Sequence, residues 1–171
     1  PLRRANPEAS RSTFGCPNRC EFCGVRTIEG EFKEIEDFTP APIMCDSNFL
    51  ACSDTHFNRV IDRLKEANLD EVDFNQGLEA KLLTKKRAER LAEINIAPRF
   101  AWDNQREESS VFKAVELMIS AGVKKYRFKG IYCLIGFGEE PSEALYRLQT
   151  LKDNGLRGFA MRYQPLDAMG K

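Results

Sequence analysis

The chain has 171 residues, 42% of them hydrophobic, enough for one domain with a true core and too few for a second of ordinary size. Lysine plus arginine equals aspartate plus glutamate at 26 each, which excludes the bulk basic field that draws a protein onto nucleic acid or anionic lipid. The longest strongly apolar run, near Ile131 to Phe137, is far short of the roughly 20 residues of a membrane span, and no secretory leader opens the chain. The expectation is a soluble, cytoplasmic protein with no membrane partner and no strong sign of nucleic-acid binding. Beginning at Pro1 without an initiator methionine, residues 1–171 read as a single domain, trimmed at one or both ends from a longer protein.

The first strand expected is Ser10 to Phe14, leading straight into a cysteine-rich loop. From Gly24 to Pro42 the pattern is irregular, because Phe32, Ile35 and Phe38 hint at a helical face that Gly30, Pro40 and Pro42 interrupt. Strand candidates then follow at Ile43 to Asp46, Glu71 to Asn75, Arg99 to Asp103, Arg127 to Ile135 and Leu156 to Arg162, at intervals of about 30 residues. Between them lie four amphipathic helices. Ser53 or Asp54 can cap the first, with Phe57, Val60, Ile61 and Leu64 on one face and Asn68 at its end. Thr84 can cap the second, where Ala88, Leu91 and Ile94 share a face. Ser109 or Ser110 can open the third, with Phe112, Val115, Met118 and Ile119 inward and Gly122 as the stop. Pro141 suits the first turn of the fourth, where Leu145, Leu148 and Leu151 are spaced for burial and Asn154-Gly155 terminates. Strands alternating with helices argue for βα units around a parallel sheet. The fold expected is α/β, a partial (β/α)6 TIM-like barrel of parallel strands.

The chemistry is concentrated in Cys16-x3-Cys20-x2-Cys23. Six cysteines in the chain make chance placement of such a triplet a below about 1% event. Cubane clusters and structural zinc ordinarily take four protein ligands, whereas this loop supplies three and leaves one coordination position open, a catalytic arrangement rather than a structural one. Cys45, Cys52 and Cys133 read as ordinary buried thiols. His56, the one histidine, sits at a helix start and reads as a surface or capping residue, and the run Lys85-Lys86-Arg87 as a solvated helix face.

The triplet, with aromatic Phe22 just before its third cysteine, resembles the signature of the radical SAM superfamily, and the resemblance extends over most of the chain. It implies a [4Fe-4S] cluster on Cys16, Cys20 and Cys23, and S-adenosylmethionine as second cofactor. It also implies reductive cleavage to a 5′-deoxyadenosyl radical that abstracts hydrogen from an unknown substrate, and an electron donor such as flavodoxin or ferredoxin. Phe22 resembles the aromatic whose backbone meets adenine. Asp46-Ser47-Asn48-Phe49 stands where the family's Gly-Glu motif receives the methionine amino group and resembles an Asp-x-Asn-Phe form of it, which makes Asp46 and Asn48 candidates. Trp102-Asp103-Asn104 offers Asp103 for a ribose hydroxyl. Tyr132 to Glu139 resembles a GxIxGxxE element, with Gly136 and Glu139 matching and Tyr132 in place of a glycine. Arg162 and Tyr163 at the last strand, and Asn75 and Gln76 at the third, are placed to face the barrel mouth. No catalytic side chain is assigned, and the reaction subclass is left open. The competing reading is a non-enzymatic iron-sulfur or zinc protein in electron transfer or partner binding, its site completed by Cys45, Cys52, His56 or Cys133.

Overall fold

The computed structural model describes residues 5–166. Six strands lie parallel in two three-stranded sheets. In the first, β4 (Ile43–Met44) lies between β1 (Ala9–Ser10) and β5 (Asp73–Phe74), with Ala9 opposite Ile43 and Ile43 opposite Asp73. In the second, β7 (Gly130–Ile135) lies between β6 (Arg99–Ala101) and β8 (Gly158–Arg162), with Ala101, Tyr132 and Phe159 in one row. Two isolated parallel bridges, Val72 to Ile96 and Leu78 to Phe100, join the sheets, so the strands follow one another in chain order. No pairing of β1 with β8 closes a barrel among the described residues. The architecture is mixed α/β with parallel sheets.

The helices begin where their side chains can satisfy the first free N–H groups. In α2 (Asp54–Glu66) the Ser53 hydroxyl accepts from His56 N, and in α3 (Lys85–Ala92) Thr84 Oγ1 accepts from Arg87 N. α5 (Pro141–Asp153) opens with proline and a reciprocal Glu140–Glu143 capping box. Phe57, Val60, Ile61 and Leu64 of α2 and Ala88 and Leu91 of α3 are buried as their spacing predicts. They share one core with the strand residues Met44, Phe74, Phe100 and Ile131. No helix among the described residues is long and apolar enough to cross a membrane.

Five expectations change. The strand expected over Ser10 to Phe14 breaks at Ser12, because Ser12 and Thr13 give their N–H groups to the Asp46 carboxylate instead of a sheet ladder. The chain then turns, and β2 (Thr13–Phe14) pairs antiparallel with β3 (Lys33–Glu34), in the stretch that resembled a helical face; the helix there is the short α1 (Val25–Glu29). The strand expected from Arg127 starts only at Gly130, since Lys125–Arg127 form a 3-10 turn and the Arg127 guanidinium binds the Asn95 and Ile96 carbonyls. In α4 (Glu108–Ser120) the inward stripe is Val111, Ala114, Val115 and Met118, leaving Ile119 42% exposed. In α5 it is Ala144, Arg147 and Leu151, with Leu145 65% exposed. Arg147 is drawn inward by Glu139 and the Leu134 carbonyl, and this selects the face.

Two polar residues expected at the surface turn inward instead, His56 fully and Arg87 in part. His56 is 1% exposed; its Nε2 donates to Ser12 O at 3.0 Å, which leaves Nδ1 to accept from Arg59 at 2.9 Å. Arg87 turns back from the helix face to the Leu50 and Cys52 carbonyls and to Asp54.

Gly15 closes the β2–β3 connection at φ +68°, and a Cβ there would lie 2.8 Å from the carbonyl oxygens of Gly30 and Glu31. Neither backbone oxygen can give way cheaply. Gly15→Ala is expected to lower stability by about 1–3 kcal/mol, read as a reduced urea midpoint at unchanged slope.

Candidate metal centre

The loop from Gly15 to Gly24 leaves the end of β2, and two carboxylates hold its entry. Glu29 accepts from Gly15 N at 2.9 Å, from Ser47 Oγ at 2.9 Å and from Arg11 at 2.7 Å. Burial works to raise its carboxyl, but these three donors and the Arg11 charge hold it below the ordinary carboxylate value. Asp46, 2% exposed at the end of β4, accepts through Oδ1 from the N–H and hydroxyl of both Ser12 and Thr13 at 2.5–2.9 Å. Burial pushes its carboxyl up, against the downward pull of those same bonds. The loop's entry is therefore fixed by charge-assisted hydrogen bonds rather than by apolar packing.

Cys16, Cys20 and Cys23 line one pocket of about 300 Å³ with Asn18, Arg19 and Arg26. All three are free thiols; Cys20 and Cys23 are exposed and Cys16 is half-buried. Among the described residues no three His, Cys, Asp or Glu side chains converge closely enough to hold a metal ion in this arrangement. Cys20 is pushed up to about 11 by burial and then by the charges of Cys23, Cys16, Asp103 and Glu79. Three sulfurs in one pocket repel one another once ionised, and a bound cation reverses that sign. The donor set, three soft thiols in one accessible pocket, fits an iron-sulfur cluster or zinc. Cys45, Cys52 and Cys133 are buried; burial raises all three, Cys52 to about 12 and Cys133 to about 11. They behave as core thiols.

Around the thiols the strand ends contribute polar groups. Asn48, 3% exposed, points its Nδ2 at Cys16 Sγ (3.3 Å) and at Glu79 Oε2 (2.6 Å). Its Oδ1 and the Oδ2 of Asp46 are buried acceptors without a partner among the described residues. Asp103, at the end of β6, lies close enough to Cys20 to raise its pKa. Phe22 meets Phe137 edge-on at 5.7 Å, and Phe137 meets Tyr163 at 4.8 Å. Beside this aromatic group Phe22, Cys23, Gly24, Tyr163 and Leu166 line a second pocket of about 350 Å³. The cysteines, Asn48 and Phe22 thus come together, with Asp103 near them.

Other candidates are placed differently. Gly136 adopts φ +80° in the turn after β7, with no described protein atom within 4 Å of a would-be Cβ. Both oxygens of Glu139 are held by the guanidinium of fully buried Arg147, at 2.6 and 2.9 Å. Arg162 lies exposed at the end of β8. Asn75 accepts Tyr132 OH on its backbone oxygen at 2.8 Å, and Gln76 is exposed. Sequence reasoning missed Glu79, Glu29 and Arg147. The available signals were a carboxylate just past the β5 strand end and an arginine on an otherwise apolar helix stripe.

No protein-family model matches the chain, and no curated protein matches it significantly.

Asp103 is pushed up to about 6, from an ordinary 3.8, by burial first and by the Glu107 carboxylate second, against the opposing pull of Arg147. A carboxyl raised in the folded state contributes stability that is full below the unfolded value and is lost as pH rises through about 6. Asp103→Asn in the metal-free protein should therefore gain stability over the parent above pH 6, by about 2–3 kcal/mol, with the gain vanishing below about pH 4. Urea denaturation across that pH range measures it.

Proposed function

We propose that the chain is a radical SAM enzyme on a partial, open (β/α)6 barrel. The observation that carries this reading is the position of the three thiols: one pocket, beside the C-terminal ends of β4 and β6, where parallel α/β folds place their chemistry. Cys16, Cys20 and Cys23 would hold a [4Fe-4S] cluster. When bound, the cluster supplies the electron that cleaves S-adenosylmethionine to methionine and a 5′-deoxyadenosyl radical, which takes hydrogen from a substrate.

The remaining roles belong to side chains of the chain itself. The acceptors Asp46 Oδ2 and Asn48 Oδ1, without a partner among the described residues, suit the ammonium of the methionine moiety. Phe22, with Phe137 and Tyr163, offers an aromatic wall of the kind that receives adenine. Asp103 is a carboxylate for the ribose. Glu139 acts through Arg147, bracing the turn that carries Gly136, and Arg162 stands at the exposed rim. Cys20 and Cys23 are exposed, which suits electron delivery by a flavodoxin or ferredoxin.

Anaerobic reconstitution with iron and sulfide, followed by dithionite and S-adenosylmethionine, should give 5′-deoxyadenosine and methionine in chromatography with mass detection. Cys16→Ala, Cys20→Ala and Cys23→Ala should each reduce 5′-deoxyadenosine to background. Zinc held stoichiometrically by the triplet, or a cluster that leaves S-adenosylmethionine intact, would overturn the proposal in favour of a structural or electron-transfer protein.

A further inference from the structure

Glu79 has no evident local task. It precedes the 3-10 turn Ala80–Leu82, yet its side chain makes no capping bond there. Instead a single carboxylate oxygen reaches the cysteine loop from the far side of β5. Oε2 accepts from Asn18 Nδ2 at 2.8 Å and from Asn48 Nδ2 at 2.6 Å. Asn18 lies inside the loop between Cys16 and Cys20, and Asn48 closes the end of β4. One anion thus ties the middle of the loop to two separate parts of the sheet.

The second contact of the Asn48 amide gives this tie a chemical consequence. The amide has two hydrogens, and its nitrogen sits within bonding distance of two acceptors, Glu79 Oε2 and Cys16 Sγ at 3.3 Å. Asn48 is 3% exposed, so its amide has few partners other than these two. With Glu79 occupying one hydrogen, the other is directed at sulfur. A donor to a ligating sulfur withdraws electron density and favours the reduced, more negative state of a cluster. A fixed carboxylate beside the same sulfur disfavours that state. Glu79 supplies both terms, one through its own charge and one through the amide it orients.

We propose that Glu79 is a positioning residue for the cysteine loop, holding the Asn48 amide on Cys16 so that its charge and the Asn48 N–H set the cluster's reduction potential in opposite directions. This rests on the cluster reading above and adds to it a residue that touches neither cluster nor cofactor. Neutralising Glu79 while keeping its shape leaves an acceptor for Asn48 and removes the charge. Replacing Asn48 with an apolar residue of similar volume removes the donor and keeps the charge.

The test is an EPR-monitored redox titration of the full chain, reconstituted anaerobically and without S-adenosylmethionine. Parent, Glu79→Gln, Asn48→Leu and the remote charge control Glu66→Gln are compared, with iron content and thermal melting recorded for each. Glu79→Gln should assemble a cluster at parental iron content with a more positive midpoint potential, Asn48→Leu should shift to a more negative one, and Glu66→Gln should match the parent. An unmoved or more negative Glu79→Gln, or two shifts of the same sign, overturns the inference. If Asn48→Leu does not melt cooperatively, the direction of Glu79→Gln against Glu66→Gln decides. A parent that cleaves S-adenosylmethionine while Glu79→Gln leaves the potential unmoved sinks this inference alone. A parent that assembles no cluster sinks it together with the enzyme reading.

Discussion

The Asp46 carboxylate takes the N–H and hydroxyl groups of both Ser12 and Thr13, and the rest of the site depends on that one buried anchor. Left to a sheet ladder, those two N–H groups would have continued β1 beside β4. Bound to a carboxylate they stop the parallel pairing after Ser10 and swing the chain out toward β3. His56 secures the same joint from the helix side by donating to Ser12 O, and Ile35 N donates to that oxygen at 2.8 Å. The N–H and carbonyl of buried Ser12 and the N–H of Thr13 are therefore answered, by a strand end, a helix and a hairpin. The cysteine loop starts two residues further on.

An anchor of this kind explains why a loop with little apolar side chain can hold a defined position. Pro17, Asn18, Arg19, Cys20, Glu21 and Cys23 are all exposed, so burial contributes little to ordering them. What orders them are charge-assisted bonds: Glu29 on Gly15 at the loop's start, Glu79 on Asn18 within it and on Asn48 beside it, and Asp46 on the residues before it. Such bonds are each stronger than a neutral pair and have defined direction.

The helices with one clean apolar stripe were legible because hydrophobic period and capping residues agreed, as in α2 and α3. Errors came where a polar side chain overrode the pattern. Arg147 replaced a leucine on the buried face of α5 because its guanidinium has a carboxylate and a carbonyl to reach, and a single-residue hydropathy reading assigns arginine to water. His56 was misplaced for the same reason. The break at Ser12 was invisible because Ser12 and Thr13 are good strand residues, and their partner Asp46 lies more than thirty positions away. At the site, the pocket shared by the three cysteines was legible from their spacing, since they are close in sequence. Glu79 was not, because its significance comes from two amides on other segments.

These observations divide the fold into two kinds of support. Apolar packing of Met44, Phe74, Phe100 and Ile131 against the helices sets where the strand ends lie, and it tolerates conservative change. The polar contacts at those ends set how the loop, Asn48 and Glu139 are aimed, and each uses a group with few alternative partners. Burial makes the second kind unforgiving: an Asn48 amide or Asp46 carboxylate with its partner removed has no water to turn to. Under the proposed reading, function rests on a small set of polar residues that contribute modestly to the core, and substitutions among them would act on geometry at the thiols before they act on the fold.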